Sequence, residues 1–346
     1  PEHIEAHGGF NNYKNAKLKL FKQLESRKEK IINGKKIEKF IVANFDDNHV
    51  LEFINFNVDK IFGFGVRDQI ADANEYNNVK NFINDPRYSF LIAKNVNLGL
   101  GEINFDVELK NKTTETSYDY NYKLNLTGLF NIYNALAATS VAFSLGFDLN
   151  SIKDSLAKIE QVKGRMQFIK GENNIYGVVD YAHDPNSVAG VYENLLKIKN
   201  TENKLIAIIG SCGGGRDKVV RFDKGNAAGA LCNYVIVTNE DPYDDDPMNI
   251  IDDVFAGVVN NIEDKNSDRV VKKIIRNSGN KKEENVNAFK ILDRREAILK
   301  AVSIAKPGVI IVCTGKGAEK GIAGENGVIL NWEEIEELTN AINNKK

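Results

Sequence analysis

Residues 204–218 read Lys204-Leu205-Ile206-Ala207-Ile208-Ile209-Gly210-Ser211-Cys212-Gly213-Gly214-Gly215-Arg216-Asp217-Lys218. An isoleucine-rich apolar run passes directly into a glycine-rich turn and then a charged triplet. A strand buried on both faces reads as such a continuous run, and glycines at its end let a ligand approach the backbone. The stretch predicts a parallel strand ending in a ligand loop, the repeating unit of a doubly wound α/β sheet. The spacing Gly210-x4-Gly215 resembles a phosphate loop, but that loop continues with Lys and then Ser or Thr, whose hydroxyl ligates Mg²⁺. Arg216 and Asp217 stand there instead. An Arg on a glycine platform suits a carboxylate, which it grips through two parallel N–H donors. The plainer alternative is a tight strand-to-helix turn with a salt-bridging Arg.

Outward from this strand the pattern alternates. Strand 175–180 precedes helix 186–199; strand 204–210 precedes helix 218–231; strand 233–238 precedes helix 248–260. Strand 287–292, helix 294–305, strand 308–313 and a final helix from about 332 complete the series. Ligands of such sheets bind beyond the carboxyl ends of the strands. The polar loops gather there: Asp180-Tyr181-Ala182-His183, Cys212 to Lys218, Glu240-Asp241-Pro242-Tyr243 and Gly315-Lys316-Gly317-Ala318-Glu319. The Asn- and Lys-rich segment 261–285 reads as a solvated insertion.

The first half reads differently. Residues 8–26 form a helix with a partly apolar face on which Lys17 sits beside Ala16 and Leu18; a lysine there is ordinarily solvated or snorkelling. Strands are expected at 39–44, leading into Asp46-Asp47, and at 59–65, with antiparallel strands at 87–95, 102–109 and 118–126. An alanine-rich helix follows Gly128 and runs to about Leu145; Asn131 reads as its cap or as a ligand, with Asn134 one turn on. A helix over 150–159 precedes Lys163-Gly164-Arg165, which marks the boundary between a domain over 1–162 and one over 163–346.

Composition narrows the class. The 346 residues carry 46 Lys and Arg against 48 Asp and Glu, interspersed, so neither nucleic acid nor an anionic membrane is an expected partner. No apolar run approaches the roughly 18 residues of a membrane span. Three cysteines and four histidines are too scattered for a disulfide framework or a metal cage, and a reducing cytoplasm is inferred. The chain opens Pro1-Glu2-His3-Ile4-Glu5-Ala6-His7-Gly8, without an initiator Met or signal pattern, and reads as a segment of something longer.

Seven short motifs follow one another in an order that resembles the Mur ligases, closest to the MurE type that adds the third amino acid to the UDP-MurNAc peptide. They are Glu2-His3-Ile4-Glu5-x-His7-Gly8, Tyr13-x-x-Ala16-Lys17, Gly128-Leu129-Phe130-Asn131-x-x-Asn134-Ala135, Gly164-Arg165-Met166, Val179-Asp180-Tyr181-Ala182-His183, Cys212-Gly213-Gly214-x-Arg216-Asp217-Lys218 and Gly315-Lys316-Gly317-x-Glu319. The resemblance implies a partial central ATPase domain followed by a Rossmann-like, doubly wound C-terminal domain. It implies ATP and Mg²⁺ as cofactors, and UDP-MurNAc-L-Ala-D-Glu and an amino acid as partners of a cytoplasmic monomer. His3 resembles a histidine that helps hold a catalytic Mg²⁺, and Lys17 the lysine carried as a carbamate, an anionic oxygen ligand for the second Mg²⁺, a hard cation. Asn131 and Asn134 match asparagines near the adenine. Arg165 matches the arginine on the ATP phosphates, Asp180 the ribose aspartate, and His183 lines the same cleft. Arg216 resembles the clamp for the amino acid's carboxylate, with Gly315 beside it, and Glu319 the acidic contact to its side-chain amine. The implied chemistry is amide ligation through an acyl phosphate.

Two departures matter. No Gly-Lys-Ser or Gly-Lys-Thr phosphate loop occurs, so the polypeptide as given is expected to be a truncation that cannot catalyse alone. Diaminopimelate-adding members carry Asp-Asn-Pro-Arg where this chain has Glu240-Asp241-Pro242-Tyr243, and their Arg pairs with a distal carboxylate. Tyr243 is neutral and Asp241 anionic, so a distal ammonium is expected to be favoured, lysine over meso-diaminopimelate. The alternatives are a folylpolyglutamate or cyanophycin synthetase type of ligase, which lacks these glycine-rich loops, and a non-catalytic binding subunit. A dehydrogenase is disfavoured because the first loop lacks Gly-x-Gly-x-x-Gly.

Overall fold

The structure, a computed structural model, describes residues 7–67, 82, 84–112, 118–198, 204–215, 218–260, 271–275 and 282–345. The chain forms two compact units, Pro1–Leu98 with Glu102–Asn125 and Leu129–Glu160, and Gly99–Gly101 with Leu126–Gly128 and Gln161–Lys346.

In the first unit helix α1 (Phe10–Ser26) precedes a hairpin of β1 (Lys30–Ile32) and β2 (Lys35–Ile37). A five-stranded sheet follows in the order β3 (Phe40–Asn44), β4 (Lys60–Val66), β5 (Tyr88–Leu98), β6 (Ile103–Asn111) and β7 (Tyr118–Leu124). The first three strands are parallel and the last three antiparallel. Alternation decides which side faces the core: in β3, Ile41 and Ala43 are buried between less buried neighbours, whereas β4 is buried from Ile61 onward. The short helix α2 (Val50–Ile54) adds Val50 and Ile54 to this core, and Phe21 and Leu24 of α1 pack against it. Helices α3 (Phe130–Ser144) and α4 (Leu149–Leu156) complete the unit. Asn131 lies inside α3 rather than capping it; the cap position is Leu129, without a side-chain bond. α4 is capped by Asp148, whose carboxylate accepts from the Ser151 N–H, and ends earlier than its pattern implied.

The second unit is built on a seven-stranded sheet. Its members are β8 (Gln167–Lys170), β9 (Tyr176–Asp180), β10 (Leu205–Ile209), β11 (Tyr234–Val237), β12 (Val271–Ile275), β13 (Lys282–Lys290) and β14 (Ile310–Thr314). Their spatial order is β12-β13-β11-β10-β14-β9-β8, with β13, β11, β10, β14 and β9 parallel and the two outer strands antiparallel. The intervening helices are α5 (Pro185–Leu196), α6 (Lys218–Leu231), α7 (Pro247–Asn260) and α8 (Arg294–Ile304). A hairpin of β15 (Lys320–Ala323) and β16 (Ile329–Glu333) leads into α9 (Glu334–Asn343). Successive strands run outward from β10 through β11 to β13, and the chain then returns to insert β14 between β10 and β9. The order therefore reverses between β10 and β14, which is where open α/β sheets bind ligands.

The opening run is legible in this core. Ile206 and Ile208 of β10 pack with Val179, Ile236, Ile311 and Cys313 and with Ala297, Ile298 and Ala301 of α8 and Leu338 of α9. The alternate residues Leu205, Ala207 and Ile209 are fully buried too, so both sheet faces are covered. Each such isoleucine contributes about 1.5–3 kcal/mol through burial. Of segment 261–285, expected as a solvated insertion, the described residues form β12 and the start of β13, paired antiparallel at the sheet edge. Strands β8, β15 and β16 and the β1–β2 hairpin are also additions to the pattern read from the sequence. No helix among the described residues is long and apolar enough to cross a membrane.

Candidate active site

Four loops leave the carboxyl ends of β9, β10, β11 and β14, and the sequence decides how closely they pack. A side chain at Gly213 would meet the Pro242 carbonyl at 2.0 Å, and one at Gly315 the Glu240 carboxylate at 2.3 Å. Only glycine permits these approaches, and Gly315 also has φ +104°.

Asp180 ends β9 and is 6% exposed. Its Oδ2 accepts from the Met166 N–H at 2.8 Å and its Oδ1 from the Ala182 N–H at 2.7 Å. Burial pushes its pKa above the ordinary carboxylate value, and these two donors and Arg165 only partly counter it. Each oxygen retains acceptor capacity, which suits the hydroxyls of a ribose. The exposed Arg165 lies over the Tyr181 ring, its Cζ 4.9 Å from the centroid. Tyr181 donates its hydroxyl to Glu319 Oε1 at 3.1 Å. The His183 ring meets Tyr181 edge-on at 5.1 Å, and its Nδ1 lies 3.1 Å from the Tyr181 carbonyl. Only a donor pairs with a carbonyl, so that nitrogen carries the proton.

The loops after β11 and β14 are joined by charge. Lys316, 2% exposed, places Nζ 2.8 Å from both Asp241 oxygens and 3.0 Å from Glu319 Oε2. Burial opposes its charge, but Asp241 and Glu319 prevail and its pKa is raised. Asp241 Oδ1 also accepts from the Ala323 N–H at 2.7 Å, and the Asp241 carbonyl accepts from Gly213. The anion expected to greet a substrate ammonium is thus already paired within the chain. Glu319 remains exposed, so the three groups together carry one net negative charge that solvent can reach. Tyr243 is 40% exposed with φ +52° and donates its N–H to the Ala323 carbonyl. Met166, next to Arg165, has φ +45°. Bulky residues adopt this left-handed region rarely, and such strain clusters at functional sites.

Beneath these loops lies an ionic layer that sequence reasoning missed. Glu240, 1% exposed, has Lys224 Nζ at 3.5 Å and the Cys212 thiol at 3.2 Å. Burial pushes Glu240 up, but Lys224 and Arg294 outweigh it and hold its pKa below the ordinary value. Arg221 bridges Asp245 and Asp253, each at 3.0 Å. Arg294 pairs with Glu334 through Nε and Nη2, both at 2.8 Å, and donates to the carbonyls of Asn239 at 2.9 Å and Thr314 at 3.1 Å. Burial works against its charge, yet Glu334 raises its pKa beyond the usual guanidinium value. Arg221 and Lys224 are one turn apart on the helix after the glycine loop, a signal the sequence offered. The partners of Arg294 lie 20 to 55 residues away and gave none.

The remaining candidates belong to the first unit. Lys17 is exposed on α1, its Nζ 5.3 Å from the Tyr13 ring centroid, and the His7 ring meets Tyr13 edge-on at 5.4 Å. Asn134 is exposed and donates to Asn131 Oδ1 at 3.1 Å; Asn131 is 7% exposed. Tyr133, between them, donates to Asp46 Oδ2 at 2.9 Å. His3 and Arg216 lie outside the described residues, and among those described no three of His, Cys, Asp and Glu converge as metal ligands.

The family profile for the Mur ligase middle domain matches residues 1–142, and that for the Mur ligase glutamate ligase domain matches residues 164–317. The UDP-N-acetylmuramyl-tripeptide synthetase of Borreliella burgdorferi is 30% identical, over 99% of this chain and 56% of that protein. The UDP-N-acetylmuramoyl-L-alanyl-D-glutamate–2,6-diaminopimelate ligase of Caldanaerobacter subterraneus subsp. tengcongensis is 28% identical, over 96% of this chain and 56% of that one. A solved structure of a ligase with this same activity name superposes with a TM-score of 0.56 at 27% identity, covering 97% of this chain and 57% of that chain. The chain spans about half the length of the curated relatives it matches.

Proposed function

The chain belongs to the Mur ligase family, whose members are ATP-dependent amide ligases, and we propose that it serves addition of a diamino acid to UDP-MurNAc-L-Ala-D-Glu. One observation carries this reading. Tyr181 links a nucleotide-type pair, Arg165 and Asp180, to an amino-acid-type acid, Glu319, along one sheet edge. ATP supplies the phosphoryl group that turns the peptide's free carboxylate into an acyl phosphate; the incoming amine attacks it, and phosphate leaves.

The chain's own residues orient and neutralise. Arg165 meets phosphate charge, Asp180 accepts from ribose hydroxyls, and His183 stands beside Tyr181 at the same strand end. Asn131 and Asn134 hydrogen-bond the adenine. Arg216 grips the amino acid's α-carboxylate at Gly315, and Glu319 receives its distal ammonium. Asp241 acts through Lys316 rather than directly, and Tyr243 offers a neutral hydroxyl. His3 would hold one Mg²⁺ and Lys17, as a carbamate, a second. The net negative charge on Asp241, Lys316 and Glu319 supports lysine over meso-diaminopimelate, whose second carboxylate it repels.

The test follows phosphate release by the complete gene product with ATP, Mg²⁺ and UDP-MurNAc-L-Ala-D-Glu while only the amino acid changes. Release that depends on lysine or ornithine is the expected result. Dependence on meso-diaminopimelate keeps the ligase and overturns the preference. Silence with every amino acid, from folded protein, overturns the ligase in favour of a binding subunit.

A further inference from the structure

The two loops assigned above to the amino acid follow β11 and β14, which are not neighbours, because β10 lies between them. No ladder hydrogen bond therefore sets the distance between these strand ends. The carbonyls of Asn239 and Thr314 sit where the ladder stops, and each needs a donor. Arg294 supplies both, through Nη1 and Nη2. Its guanidinium is a rigid planar fork, so satisfying both carbonyls fixes them relative to each other. Glu334 holds the other edge of the fork and is itself fixed by the Trp332 Nε1–H at 2.5 Å. Arg294 and Glu334 are 2% and 1% exposed, so neither reaches a substrate. A buried ion pair is weak evidence for added stability, and its cost calls for another explanation.

We propose that Arg294, with Glu334 as its counter-ion, is a positioning residue for the amino-acid end of the site. It fixes the ends of β11 and β14, and so the loops that carry Asp241, Tyr243, Gly315 and Glu319. The part of this that concerns substrate rests on the ligase reading above.

The test is R294K in the complete gene product, which keeps a cation for Glu334 but has no fork to reach both carbonyls. Amide hydrogen exchange is followed in peptides covering 239–243 and 314–319, beside KM for lysine and for ATP. Exchange should quicken in these two segments alone, and KM for lysine should rise roughly tenfold or more while KM for ATP holds. Unchanged exchange in both segments overturns the proposal. So does faster exchange spread evenly over the second unit, the mark of a merely structural ion pair. If R294K does not fold, R294M/E334M replaces the pair with apolar side chains, a change buried pairs often tolerate, and the same two results decide. Should the wild-type protein ligate no amino acid, the ligase reading falls, and the exchange data still decide the role of Arg294.

Discussion

At the scale of single residues, Lys316 controls the charge of the site. Its ammonium is nearly buried and is stabilised by Asp241 and Glu319, which raise its pKa above the ordinary 10.5. A group whose folded pKa is raised contributes stability that is fully present below the unfolded pKa and is lost as pH rises through the folded value. That window lies on the alkaline side. In D241N one anion disappears while an acceptor oxygen remains, so the folded pKa of Lys316 falls. The variant is expected to lose about 1–3 kcal/mol at neutral pH, because a nearly buried charge loses a partner. Its melting temperature should also begin its alkaline decline at lower pH than that of the wild type. Thermal melts across the alkaline range check this; superimposable alkaline limbs would show that Asp241 does not hold the lysine. The placement of Asp180, Asp241, Gly315 and Glu319 at one sheet edge was legible in the sequence, because each follows an apolar strand run. The pairing of Lys316 with Asp241, 75 residues apart, was not, since only the fold brings β11 and β14 to opposite sides of β10.

At the scale of elements, helices α6 and α7 approach each other closely through glycines. A Cβ at Gly225 would lie 1.8 Å from the Val254 carbonyl, and one at Gly257 would lie 1.9 Å from the Phe222 carbonyl. Backbone faces backbone, so no rotamer change relieves the clash. Alanine favours a helix over glycine by about 1 kcal/mol. Overpacking typically costs about 1–3 kcal/mol and more where the obstacle is rigid. The clash wins, and G225A should lower unfolding free energy by about 2 kcal/mol or more. Gly190 in α5 has open space where its Cβ would go, so G190A should instead stabilise by about 0.5–1 kcal/mol. Urea unfolding of the two variants tests the contrast, and equal effects would refute it. Helix α1, with its partly apolar face, and β10, with its unbroken apolar run, were readable from sequence. β8, β15 and β16 were less so: each mixes polar or charged residues into four or five positions and lacks the apolar run of an equally short strand such as β10. The polar segment leading into β13 hid its strands because pairing at the sheet edge is tertiary rather than local.

At the scale of the whole molecule, each unit has a core of its own. One gathers Ile41, Ile61, Phe90 and Ile92 of the first unit, and the other Ile208, Ile298, Ile311 and Leu338 of the second. The single tryptophan, Trp332, is 6% exposed and belongs to the second core. Its fluorescence therefore reports one unit, whereas far-ultraviolet circular dichroism reports both. Non-coincident transitions by two probes are the mark of unfolding that is not two-state, and they are expected here. Ile61 is fully buried on β4, an inner strand of the five-stranded sheet, and I61A removes most of its side chain at a cost of about 2–5 kcal/mol. The first unit's contribution to the dichroism curve should shift while the Trp332 transition stays in place. The converse variant I208A should move the Trp332 transition by a comparable amount. If I61A displaces the Trp332 transition as far as it displaces the dichroism curve, the two cores unfold as one.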